Sequence, residues 1–220
     1  MHIGNQEDLH FLKEYYSRYG GFWVYPDMLD YCYLVNPYFN RSKIIDEMQE
    51  NFRVLVSEYP AGMAVNSQLA SDCWNIKQEY IIPGNGAAEL IKALMENLQG
   101  KVGVIRPTFE EYPNRLSDER VVTFVPNNES FRYNADDLIQ FFGENKVENL
   151  LLINPDNPSG NFIPVDGIHQ VARWCEDNGV RFILDESFVD FSVGYDNNTF
   201  LRNELIEQYP HMCVMKSISK

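Results

Sequence analysis

From about residue 100 the sequence alternates short, β-branched apolar runs with helix-like segments, and few architectures accept that alternation. A strand, a helix and a second strand in succession bring the chain back to the same end of a sheet, so the pattern predicts parallel strands covered by helices. Runs at residues 101–107, 120–126, 147–155 and 180–186 are apolar enough to be covered on both faces, and a fifth run at 211–217 follows them. Between the strands, Asn134 offers a helix cap with acids in the first turn, and a second helical segment opens at Pro164 and stops at Gly179. The expected fold class is α/β, a three-layer, mostly parallel sheet with helices on both faces.

Upstream, Ile44, Met48, Phe52 and Leu55 stand at helical spacing and predict a helix through this stretch, and a second helix runs from Gly86 towards Gly100. Residues 1–40 are rich in Tyr, Phe and Gly without a period, and read as an irregular arm on a body formed by residues 41–220. With 45% hydrophobic residues in 220, that body can bury a substantial core. The excess of 32 acidic over 18 basic side chains, a net charge of −14, repels phosphate backbones and argues against nucleic acid as a partner. No apolar stretch approaches the roughly 20 residues that span a bilayer. The opening residues lack the basic end and apolar run of a secretory signal, so a cytoplasmic protein is expected. Cys32, Cys73, Cys175 and Cys213, like the four histidines, are scattered without metal-ligand spacing, and no metal site is expected.

In open α/β sheets ligands bind beyond the carboxyl ends of the strands, so the residues that follow each strand carry the functional reading. Gly86, Ala87 and Ala88 form a small-residue turn running into a helix, where free N–H groups and the helix dipole suit a phosphate; taken alone, a glycine before a helix is more often plain turn chemistry. Tyr112 lies about one helical turn past the first strand, where its face could meet a planar ring or simply fill the core. After the third strand, two Asn-Pro pairs and a glycine shape a tight loop that could aim the Asn157 amide into a cleft. Asp185 ends the apolar run Phe182, Ile183, Leu184, a costly place for a carboxylate unless it meets a cation or donors. Ser217, Ser219 and Lys220 follow the fifth strand, at the same mouth.

The order and wording of these segments, from about Asn36 to Lys220, resemble the fold-type-I pyridoxal-phosphate enzymes, nearest to histidinol-phosphate aminotransferases and threonine-phosphate decarboxylases. The resemblance implies pyridoxal 5'-phosphate as cofactor. It assigns the cofactor phosphate to the Gly86, Ala87, Ala88 turn and to Ser217 beside Ser219. Tyr112 would stack on the pyridine ring, Asn157 would donate to the phenolic oxygen, and Asp185 would pair with the protonated ring nitrogen. Lys220 would form the Schiff base and then shuttle a proton at the substrate carbon. Tyr59 resembles the family tyrosine that reaches the phosphate of a neighbouring subunit, which implies a homodimer. The implied activity is transamination of a small amino acid or amino-acid phosphate against a keto-acid, with decarboxylation of an amino-acid phosphate as the alternative.

Two departures bear on that reading. Phe188 stands where many aminotransferases of the group carry a tyrosine, and the decarboxylase branch shares the replacement. The chain also stops at Lys220, where the family continues through an arginine for the phosphate and a C-terminal small domain, so an incomplete large domain is expected, and a catalytically incomplete fragment is a reading from a different class. A dinucleotide-binding turn at Gly84 and Gly86 fits poorly, because Glu89 stands where that fingerprint needs its third small residue.

Overall fold

The computed structural model of the chain describes residues 42–218. Among them one sheet forms from β1 (Val102–Ile105), β2 (Val121–Phe124), β3 (Asn149–Ile153), β4 (Arg181–Asp185) and β5 (Met212–Met215). All neighbours are parallel, in the order β2-β1-β3-β4-β5. Each strand lies inside one of the runs marked by apolar patterning, and the α/β class is as expected. The helices are α1 (Ser42–Glu50), α2 (Phe52–Ser57), α3 (Met63–Trp74), α4 (Ala87–Asn97), α5 (Ala135–Glu144), α6 (Val165–Asp177), α7 (Tyr195–Asn198) and α8 (Asn203–Gln208). Val54–Ile218 falls in one compact unit and Ser42–Arg53 in another. No described helix is long and apolar enough to cross a membrane.

The period of two along each strand sorts the core into two layers. Leu150 and Leu152 of β3 and Phe182 and Leu184 of β4 pack with Leu138 and Phe142 of α5 and Ile168, Val171 and Cys175 of α6. Their alternates Leu151, Ile153 and Ile183 pack on the other side with Ile91 and Met95 of α4, Val102 and Val104 of β1, and Tyr112. Every residue of β3 is buried, which is why its sequence shows no polar alternation. At Gly103 the sheet admits no side chain: a Cβ there would stand 2.5 Å from Cε1 of Phe142, so the glycine is what lets that ring come so close to β1.

The helix ends follow the sequence signals where those were local. Asn134 accepts from the Asp137 N–H at 3.1 Å, and the Asp137 carboxylate accepts from the Asn134 N–H at 2.9 Å, a reciprocal cap that starts α5. The single helix expected through Ile44 and Leu55 is instead two. Asn51 separates α1 from α2, its side-chain amide donating to the Glu47 carbonyl at 2.8 Å alongside its own backbone N–H, the local competition that asparagine offers a helix.

Candidate active site

The strand ends set the site because each places its last side chain at the same edge of the sheet. Asp185 closes β4 on the face of Ile183, Tyr112 and α4, and is 5% exposed. The Tyr112 hydroxyl donates to its Oδ2 at 2.6 Å, and the Ser187 N–H donates to its Oδ1 at 2.8 Å. Tyr112 itself is fully buried, edge-on to Phe109 with centroids 6.3 Å apart. Burial first, and the Asp185 carboxylate second, push its phenol far above the ordinary tyrosine range, so it acts as a donor.

A chain of hydrogen bonds extends from this pair. The Ser187 hydroxyl accepts from the Ser217 N–H at 3.1 Å, so Tyr112, Asp185 and Ser217 are joined through a residue that the sequence reading did not single out. The signal for Ser187 was present: an Asp followed two residues on by a backbone donor in a tight turn is an Asx-turn, and Asp185-Glu186-Ser187 forms one. The Asn154 N–H also donates to the Asp185 carbonyl at 2.9 Å, fixing the start of the β3 loop against the end of β4.

The other sequence-predicted residues distribute as follows. Gly86 is the N-cap of α4 with φ +86°, a conformation natural to glycine, and no side chain caps the helix there. Ala87 is half-buried and Ala88 exposed, so the first-turn N–H groups of α4 are accessible. Glu89 reaches back to the Asn85 N–H at 2.5 Å. Asn157 is half-buried in the loop after β3, and no hydrogen bond joins its amide to Asp185 or Tyr112 among the described residues. That loop is held instead by Asn154, whose side chain exchanges two hydrogen bonds with Ile163, and by the Ser159 hydroxyl on the Asp156 carboxylate. Tyr59 is 99% exposed between α2 and α3. Ser219 and Lys220 lie outside the described residues.

The donor set suits an anionic group attached to a cationic ring. A buried carboxylate is expensive without a countercharge, and Asp185 is met only by neutral donors among the described residues. Two donors leave lone pairs on a carboxylate able to accept about four. An uncapped helix N-terminus on the same face of the sheet supplies the opposite polarity, as a phosphate requires. The residues therefore fit pyridoxal phosphate: a positive ring nitrogen for Asp185, and a phosphate for the α4 turn.

Glu186, next in sequence, faces the other layer. It is 1% exposed; its carboxylate accepts from the Phe200 N–H at 2.6 Å and from the Thr199 hydroxyl at 2.7 Å, and Lys216 lies near, itself 2.5 Å from Asp190. Burial dominates, and its carboxyl is pushed up to about 7 from the ordinary 4.5. Between those values the folded chain binds more protons than the unfolded one, so stability should fall as pH rises from 4.5 to 7 and level off above, by about 3 kcal/mol in all. Glu186→Gln removes the charge, keeps an oxygen to accept from the Phe200 N–H, and turns the other bond round, the amide N–H donating to the Thr199 hydroxyl. Denaturant unfolding at pH 5 and pH 8 should show a much smaller drop for the variant; equal drops would mean that Glu186 is not the group responsible.

Comparison with known proteins places this geometry among relatives. Residues 55–220 match the family of class I and II aminotransferases. The chain is 30% identical over 201 residues to the L-serine phosphate decarboxylase of Sulfurospirillum multivorans, a match covering 87% of this chain and 51% of that protein. The solved structure of a decarboxylase from the same organism superposes with a TM-score of 0.71 at 28% identity, over 88% of this chain and 54% of that one. The histidinol-phosphate aminotransferase of Clostridium acetobutylicum superposes with a TM-score of 0.70 at 25% identity, over 88% and 56%. The chain thus spans about half the length of the relatives it matches.

Proposed function

Since the chain belongs to the class I and II aminotransferase family, we propose that it forms the pyridoxal-phosphate-holding part of an enzyme that acts on a small amino acid or amino-acid phosphate. The observation that carries this reading is Asp185, a buried carboxylate at a strand end, held by Tyr112 and Ser187 and lacking a cation among the described residues.

When bound, the cofactor supplies an electron sink for a bond broken at the substrate α-carbon. The residues do the rest. The N–H groups at Gly86, Ala87 and Ala88 hold the phosphate with the help of Ser217 and Ser219, and the α4 dipole favours its charge. Asp185 keeps a proton on the ring nitrogen by placing a negative charge opposite it. Asn157 would donate to the phenolic oxygen, and Tyr112, buried against Asp185, would border the ring. Lys220 attaches the cofactor, and its amine then takes and returns the proton at the substrate carbon. Tyr59, wholly exposed in the single chain, is free to serve the phosphate of a second copy in a homodimer.

Transamination is the first outcome of such a site, with a keto-acid as second substrate. Loss of the substrate carboxylate is the second reading, and Phe188 favours it, since the side chain three residues past Asp185 brings no hydroxyl to the cofactor oxygen. The resemblance to an L-serine phosphate decarboxylase supports the same alternative and points to a phosphate-bearing amino acid.

Mapping the attachment point tests the reading. The chain incubated with pyridoxal phosphate and reduced with borohydride should carry one pyridoxyl adduct, and peptide mass analysis should place it on Lys220. An adduct on Lys216 or Lys92 would overturn the assignment. No adduct, in a protein that also carries the further length present in the relatives, would overturn the reading itself. In that longer protein, release of carbon dioxide against formation of keto-acid from a panel of amino-acid phosphates separates the two outcomes.

A further inference from the structure

We propose that Tyr112 is a positioning residue: by donating to Oδ2 of Asp185, its hydroxyl keeps the shared proton on the ring nitrogen of the bound cofactor and off the carboxylate. The proposal rests on the reading that Asp185 faces that nitrogen, and gives Tyr112 a task separate from any contact between the two rings.

The geometry is specific. Both side chains are buried, the contact is 2.6 Å, and it joins a loop after β1 to the end of β4 across the layer that contains α4. The Ser187 N–H holds Oδ1 from the other side. A phenol that stays protonated throughout the working pH range can only donate here, and a carboxylate that accepts such a bond is stabilised in its charged form. A carboxylate opposite a pyridine nitrogen shares one proton with it, and the more stable the carboxylate anion, the more of that proton resides on nitrogen. Removing the hydroxyl makes the carboxylate more basic and draws the proton towards oxygen, which leaves the ring uncharged. A tyrosine that served packing alone would leave the nitrogen unaffected, because phenylalanine fills the same space.

The test uses the 220-residue chain, its Tyr112→Phe and Asp185→Ala variants and the double variant. With pyridoxal phosphate labelled with nitrogen-15 in the ring, the wild-type resonance should sit towards the protonated pyridine position. Tyr112→Phe should move it part of the way to the unprotonated position, and Asp185→Ala further in the same direction. Without cofactor, Tyr112→Phe should lower Tm by about 5 °C, the size of one buried hydrogen bond in a chain of this length, and should lower it far less when Asp185 is already alanine. If Asp185→Ala shifts the resonance and Tyr112→Phe does not, the positioning role is overturned while the Asp185 reading stands. If the wild type takes up no cofactor even when it carries the further length present in the relatives, or Asp185→Ala gives the wild-type resonance, the underlying reading is overturned and the proposal with it. Additive Tm losses would show that the contact is absent, and would overturn the proposal alone.

Discussion

Asp185→Ala, in a protein carrying this chain and the further length found in its relatives, is expected to lower kcat/KM at least about a hundredfold, the scale of losing one preorganised electrostatic contact at the reacting charge, while cofactor retention falls only a few-fold. The two effects separate because different residues carry them. On the proposed reading retention rests on the α4 turn at Gly86 to Ala88 and on attachment at Lys220, and the hydrogen bonds to the Asp185 carboxylate come from Tyr112 and Ser187 and not from that turn. Catalysis depends on the ring nitrogen staying positive as electrons arrive, and interactions that strengthen only then act on rate and not on affinity. Within the protein, the substitution strands the Tyr112 hydroxyl and the Ser187 N–H, but it also removes a buried charge that meets no cation among the described residues, and these act in opposite directions on stability. Steady-state rates on amino-acid phosphates, beside cofactor content after dialysis, read both quantities. Loss of cofactor in proportion to loss of rate would place Asp185 among the holding residues and remove its proposed electronic role.

Phe142→Ala is expected to be the most damaging single change to the described core, costing about 3–5 kcal/mol, the range for truncating a buried aromatic ring. The ring is 1% exposed on α5, touches Phe141 edge-on at 5.1 Å, and presses on the bare backbone of Gly103. Nothing can collapse into the space from the β1 side, because the residue opposite has no side chain to move. Gly103→Ala should cost about 1–3 kcal/mol on its own, as overpacking against a ring held by its neighbours. Placed together with Phe142→Ala, the same methyl group enters the space that the ring vacated and should recover part of the loss. Urea unfolding of the four proteins measures the coupling. Additive losses would mean that the Phe142 ring and Gly103 are not in contact.

What the sequence revealed and what it concealed divide along physical lines. The strands were legible because burial on both faces demands unbroken apolar runs, and Leu150 to Ile153 could be little else. The start of α5 was legible because a cap is a contact between residues three apart. The helix α3 was not, because among its residues only Ser67 is buried while Met63, Val65 and Leu69 are exposed, so no apolar stripe betrays a core-facing side. The break at Asn51 escaped the same reading, since Phe52 and Leu55 keep helical spacing across it. Within the site, Asp185 stood out as a charge ending an apolar run. The choice of Tyr112 as its partner did not, because a bond between residues so far apart in sequence has no local signature.

The parallel ladder also governs how this chain can reach its fold. No two neighbouring strands are joined by a hairpin: Val102 must find Val121 and, on its other side, Asn149, while Ile183 must find Leu151 and then Cys213. Each rung thus closes a long loop before it gains anything, and such pairings form late and slowly. The helices that cross between strands are the segments able to form from local contacts, and α5 with its reciprocal cap is the best equipped of them. Until those helices dock, β3 and β4 are bare apolar ribbons, the segments of this chain with most to lose from meeting a second copy in the same state.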